Sequence, residues 1–329
     1  VCSGPKTLLP LLLLTKYLQA NYNTELANTI LSTAVRFTID MSMNKKITYK
    51  NLSLAEQIRK RSMWWHFFAT DKLFSFTLSR PPMLLEEDMD MLTDQNYLEV
   101  IKTNILPKIF KTKEECEQVS DIHEALSIII NYCEYIPFFT SYYVTKLLRI
   151  ESSLYSTCFS VRNTLDNTFD GLLSKALEIF ESLKTWKDNL HPSMRLESYR
   201  QYISLLYPQS SDENPALAFE LACTHVLACH LRYLYLVVIL SMFIVSLLRD
   251  NQELFPVSHH EIPKIYKKFS EQYILSSVKL VEIFQGVNFV IHTYNDLIYP
   301  FLTGIYVVLM HVVDELDKPK NLEVPSLIE

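Results

Sequence analysis

An all-α fold, a large helical bundle with one or two subdomains, is predicted for this chain by three observations. It holds four glycines in 329 residues, too few for the glycine-rich turns on which sheets and tight hairpins depend. Hydrophobic residues make up 49% and aromatics 12%, which excludes disorder for the bulk of the chain and suffices for a sizeable core. Apolar residues recur at helical spacing in segments separated by polar or proline-marked breaks.

Leu8 to Ala20 and Leu26 to Asp40 read as an antiparallel helical pair joined across Asn21-Tyr22-Asn23-Thr24, where Asn23 or Thr24 caps the second helix. Met41 to Asn51 is a lysine- and asparagine-rich loop. Ser53 then caps a central helix, with Glu56 at the spacing of a capping box. A helix is expected over Tyr97 to Ile109, and a charged bridge over Thr112 to Val119. Another helix opens at Ser120 and runs towards Tyr135, where Pro137 breaks it. Phe138 to Leu190 reads as one or two long helices ending near His191-Pro192. The polar, proline-bounded stretch after Tyr207 reads as a linker, and Pro215 suits the first turn of the next helix. We therefore expect an N-terminal helical part over 1–207, a linker over 208–216 and a C-terminal helical part over 217–329. That last part holds a long apolar helix from Ala216 to Leu248, a helix from Pro263 through Phe284, and a final one ending near Asp317.

Two of these segments, Tyr233 to Leu248 and Phe289 to Val313, are apolar enough to suggest membrane spans. The first is slightly short of the roughly 20 residues a span needs. The second carries His292, Asn295, Asp296, Pro300 and His311, which are costly in lipid and ordinary in a buried helix. Core helices and no membrane are the expectation. The formal charge of −6, from 31 basic and 37 acidic side chains, argues against tight DNA binding by this chain alone. Six scattered cysteines without a Cys-x-x-Cys pair suit reduced thiols rather than a disulfide framework or a zinc site.

The run from Glu56 to Asp90 is the most distinctive. Trp65, Phe68 and Phe76 form one helical stripe; Trp64, Phe67, Phe74 and Leu78 form a second. A helix apolar on two sides is buried on two sides, so this one is expected to cross the middle of the bundle. Asp71 then lacks water and needs a donor, expected from a neighbouring helix. Arg59, Lys60 and Arg61 read as solvated first turns. The Pro81-Pro82 pair stops the helix, and Arg80 is expected to pair with Asp71 or with the acidic turn beyond it.

These residues resemble the signature of the regulatory domain of fungal zinc-cluster transcription factors, the middle homology region or fungal-specific transcription factor domain. That pattern is a basic pair, an aromatic pair, an Asp-Arg/Lys, then Gly-Arg-Pro-Pro and acids. Here it reads Lys60-Arg61, Trp64-Trp65, Asp71-Lys72, Ser79-Arg80-Pro81-Pro82 and Glu87-Asp88-Met89-Asp90, with serine in place of the usual glycine. Leu8 to Asp40, Leu183 to Arg195 and His225 to Leu248 carry the likeness at lower specificity.

The resemblance implies a nuclear regulatory module, not an enzyme, that is either inhibitory or effector-responsive. It implies DNA contact only through a zinc-cluster module before Val1, with no cofactor in this chain and zinc confined to that module. Co-regulator proteins, a small apolar effector and a second copy of the chain are the candidate partners. For an effector pocket the candidate walls are Trp65, Phe68, Tyr142, Tyr233 and Phe289. A ligand-free protein-binding scaffold is the alternative.

An isoprenoid-synthase-like enzyme is a third reading, resting on the magnesium-binding style of Glu86-Glu87-Asp88-Met89-Asp90. It is disfavoured because those acids directly follow Pro-Pro. In addition, Asn295-Asp296 is followed by Tyr299 and Thr303 where serine and glutamate are needed. Cys223, His225, Cys229 and His230 form a soft-ligand cluster read as core, since two ligands on one face make no metal site.

Overall fold

The computed structural model describes residues 5–21, 23–78, 80–90, 94–132, 136–161, 168–206, 215–251, 262–285 and 298–317. Among them there is no strand, and the all-α expectation holds. Helix α1 (Pro5–Ala20) and α2 (Thr24–Asp40) pack against each other and against α3 (Leu54–Leu78). Asn23 caps α2 by accepting the Leu26 amide at 3.4 Å. At the start of α3 the Glu56 carboxylate accepts from both the N–H and the hydroxyl of Ser53, which holds its pKa below the usual carboxylate value.

After the signature loop the chain forms α4 (Asp94–Asn104), α5 (Leu106–Ile109), α6 (Lys113–Gln118) and α7 (Ile122–Ile129). Two expectations are corrected here. The segment expected as a charged bridge contains α6, because Thr112 and Glu115 form a complete capping box that holds a two-turn helix without an apolar stripe. The next helix is capped by Asp121 rather than Ser120: its carboxylate accepts from the His123 and Glu124 amides.

Two long helices follow, α8 (Ile136–Cys158) and α9 (Phe169–Asp188), then the short α10 (Tyr199–Leu206). Helix α11 (Pro215–Asp250) is the longest and runs through the bundle, touching α8, α9 and α10. The helices α12 (Ile262–Gln285) and α13 (Ile298–Asp317) close the bundle against it. Gly304 lets α13 approach α12 closely, since a Cβ there would meet Leu280 at 3.2 Å and the Ser277 carbonyl at 3.3 Å. Phe284 and Phe301 stack at 3.9 Å beside it. These contacts set α12 and α13 antiparallel. Part of α11, Ala222–Asp250, is long and apolar enough to cross a membrane, yet Val226, Leu231, Leu236, Leu240 and Ile244 along it are all buried within the bundle.

The apolar interior falls into two clusters. One joins α1, α2 and α3 with Leu84 and Leu148; the other spans residues from Tyr97 to Phe284. Trp65 and Val144 pack against both. The linker expected over 208–216 lies outside the described residues up to position 214. Residues on both its sides, Ile203 and Val226 among them, belong to the same cluster.

Candidate functional site

Helix α3 positions everything around the signature. Trp64, Phe67 and Phe68 are fully buried, each contributing on the order of 1.5–3 kcal/mol to the core. Trp65 is half-buried, stacked on Tyr97 at 6.1 Å and edge-on to Phe68 at 6.0 Å. The helix thus packs α1 and α2 on one side and α8 on the other, as the double stripe predicts. Arg59 is exposed and Arg61 half-buried, the latter lying 4.5 Å over the Tyr49 ring.

Asp71 and Lys72 are each 1% exposed. The donors to Asp71 come from the loop that follows its own helix rather than from a neighbouring helix. Its carboxylate accepts the Met83 amide at 3.0 and 3.1 Å and the Leu84 amide at 3.0 Å. Lys72 donates to the Leu84 carbonyl and lies 4.8 Å over the Phe68 ring. One loop residue is therefore gripped at both its main-chain polar atoms. Burial pushes the Asp71 carboxyl up and the Lys72 amine down; the loop amides and Lys72 pull Asp71 back, while Asp71, Glu86 and Glu151 restrain Lys72.

Pro81-Pro82 makes the reversal that returns the loop, since neither ring can continue the helix. Arg80 reaches neither Asp71 nor the acidic turn. It pairs with Glu25 on α2 at 2.9 Å, tying the loop to the N-terminal hairpin from the solvent side.

Beyond this clasp, Glu86 pairs with Arg149 of α8 at 2.9 Å. The pair sits at the edge of a groove of about 1090 Å³ between α8 and α9. Tyr142, Ile150, Ile179 and Trp186 supply apolar surface; Ser153, Ser156, Ser182 and Thr185 supply hydroxyls; Leu85, Glu86 and Glu87 of the signature loop complete one rim. Lys146 in the groove pairs with Asp94 at 2.7 Å. Trp186 is fixed by its indole N–H, which donates to the Tyr143 carbonyl at 2.9 Å.

Of the expected pocket aromatics among the described residues, only Tyr142 lines this groove. Phe68 and Trp65 stand behind it in an unbroken row of rings through Tyr97, which meets Tyr142 edge-on at 5.2 Å. Tyr233 stacks on the rear of Trp186 at 5.4 Å, and Phe289 lies outside the described residues. The sequence reading does not include the hydroxyl rows, for which the i, i+3 spacing of Ser153/Ser156 and Ser182/Thr185 is the available signal.

The soft-ligand residues of α11 are core. Cys223, Cys229 and His230 are buried, and burial pushes the two thiols up to about 11 and about 12. His230 Nε2 lies 2.6 Å from the Met194 carbonyl. Among the described residues no group of three or more His, Cys, Asp or Glu is placed to hold a metal ion. His259-His260-Glu261 and Asn295-Asp296 lie outside the described residues, while Glu87, Asp88 and Asp90 of the acidic run are exposed.

Burial depresses the pKa of His191, His225 and His230 below 6.5. The unfolded chain then binds more protons than the folded one as pH falls through that value, so stability present above pH 6.5 is lost below it. Urea midpoints measured at pH 7.5 and 5.5 should show a clear fall at the lower pH. A flat profile would mean that these rings titrate normally.

The family model of the fungal specific transcription factor domain matches residues 7–188. The chain belongs to that family. It is 53% identical over its whole length to Halotolerance protein 9 of Saccharomyces cerevisiae, covering 32% of that protein. It is 25% identical over 212 residues, 56% of its length, to Transcription factor TAC1 of Candida albicans, covering 22% of that protein. The chain thus spans about a third or less of these curated relatives. No solved structure matches it. A fungal-specific transcription factor domain is a transcriptional module, not an enzyme family. In this one the clasp falls inside the matched span, as does the groove's lining up to Trp186.

Proposed function

We propose that this domain is the effector-responsive regulatory module of a nuclear zinc-cluster transcription factor, and that its response is exerted through the groove between α8 and α9. One observation carries this reading. The groove rim is made by the signature loop itself, through Leu85, Glu86 and Glu87, and that loop is bonded inward to α3 and outward to α2 and α8. An occupant that moves the rim therefore biases how the N-terminal hairpin packs, which is the differential contact a two-state switch needs.

The mixture of aromatic floor and hydroxyl walls suits an amphipathic small molecule better than a purely apolar one. DNA contact through a zinc-cluster module, zinc confined to that module and contact with co-regulators belong to this proposal through the family.

The amphipathic dye 1-anilinonaphthalene-8-sulfonate is the first probe. It should bind the folded chain, quench Trp186, and lose affinity at least tenfold when Ser153→Trp and Ser182→Trp fill the groove. In a reporter fusion the same double substitution should fix the output in one state. Dye binding and reporter response that both ignore the substitutions would sink the reading.

A further inference from the structure

A second cavity, of about 290 Å³, opens at the C-terminal end of α9. Lys187 and Asp188 line it and do not line the groove, so the two hollows use different faces of that helix. His230 of α11 lies in its wall, 4% exposed, with Nε2 held against the Met194 carbonyl at 2.6 Å. Three cations from three separate elements converge on the cavity: Lys187 of α9, Arg195 just after the turn Pro192–Met194, and Lys279 of α12.

Among the described residues none of the three forms an ion pair. Asp188 and Glu197 line the same cavity, yet neither is set against them. In a chain of formal charge −6, three cations around one hollow repel each other without a carboxylate at contact distance. Arg195 is also oriented in advance. Its Nε donates to the Leu190 carbonyl at 3.1 Å, which fixes the guanidinium plane. Its terminal amino groups are left for the fork that grips two oxygens of an oxyanion. Burial depresses the His230 pKa, the Met194 carbonyl and Glu197 oppose that, and Lys187 and Lys279 add to it. Both ammonium charges are therefore felt at the cavity wall.

Size and lining select the ligand. The cavity stands at the lower limit of ligand pockets, roughly 300 Å³, and admits a small anion. Its apolar lining is Leu190 and Leu196, without a Phe, Tyr or Trp on which a nucleobase would stack. A lone carboxylate fills the arginine fork and leaves both lysines unanswered. A multiply charged phosphoryl group offers oxygens to all three cations.

We propose that this cavity is a binding site for a small, multiply charged phosphoryl anion, with Arg195 gripping it and Lys187 and Lys279 closing on its other oxygens. Once bound, the anion is an ionic tie between the end of α9 and α12 across α11. The site is independent of the groove.

Isothermal titration of the 329-residue chain with pyrophosphate, in magnesium-free buffer, tests this. Pyrophosphate should bind with a sub-millimolar Kd, and orthophosphate at least tenfold more weakly. Lys187→Ala and Lys279→Ala, both at exposed positions, should each weaken pyrophosphate about tenfold, the worth of one charged hydrogen bond, with unchanged helicity by circular dichroism. Lys184→Ala and Lys267→Ala, which remove the same charge elsewhere on α9 and α12, should leave it unchanged. So should the groove-filling pair Ser153→Trp and Ser182→Trp. Glu197→Gln, which takes an acid out of the cavity, should tighten binding at least threefold. A flat pyrophosphate titration would overturn the proposal, as would equal losses in the target and control lysine variants. Adenosine diphosphate binding tenfold tighter than pyrophosphate would overturn the ligand class, since the base would then be recognised.

Discussion

Replacing Asp71 by alanine lowers the unfolding free energy by about 3–5 kcal/mol, because removing one member of a buried ionic cluster strands the rest. The Met83 and Leu84 amides lose their acceptor, and the Lys72 amine, 4.0 Å from the carboxylate, is left with the Leu84 carbonyl as its hydrogen-bond partner. Asp71→Asn keeps the shape but turns one acceptor into a donor facing those amides, so it should recover little. Lys72→Met added to Asp71→Ala removes the stranded cation and should restore part of the loss. Urea unfolding of the single and double variants separates these contributions. A cost below about 1 kcal/mol for Asp71→Ala, the worth of an ordinary hydrogen bond, would show that the loop does not depend on the clasp.

A comparable loss is expected at the join between α8 and α11. Glu151 is 1% exposed and pairs with Arg232, 17% exposed, at 3.0 Å. The two ends of this pair are not equivalent. Arg232→Met deprives a fully buried carboxylate of its guanidinium and should cost about 3–5 kcal/mol. Glu151→Gln leaves a cation that retains some access to water, and should cost nearer 1–3 kcal/mol. The double variant should lose less than the two singles combined, since the charges vanish together. Equal costs for both singles, with no coupling, would place the stabilisation in packing rather than in charge. Glu151 also lies in the field acting on Lys72, so the double cycle can be extended across the boundary between the two apolar clusters.

How much of this was foreseeable differs from element to element. The long helices were, because each carries an apolar stripe and a proline, asparagine, serine or threonine at its start. Helix α6 was not, because a two-turn helix held by Thr112 and Glu115 buries only Cys116 and leaves no periodicity to read. That Asp71 is interior followed from its neighbours on α3. Its partners did not follow, since they are main-chain amides and any sequence has those. The groove eluded the reading for another reason. Periodicity tells which face of α8 or α9 is polar, but not that the two faces are set opposite each other. Tyr142 is legible as a wall because it is aromatic; Ser153 and Ser182 are not, because hydroxyls on a helix commonly bond their own backbone, as Ser156 and Ser182 do here.

The grip of Asp71 and Lys72 on peptide atoms twelve and thirteen positions downstream has a consequence for descent. A contact between two side chains ties the fate of one position to another, and drift at either end must be matched. Here the receiving end is the polymer itself, so the grip depends on the identity of the aspartate and lysine but not on which side chains positions 83 and 84 carry. Relatives can therefore remodel the remainder of the bundle extensively and still carry the same short fingerprint.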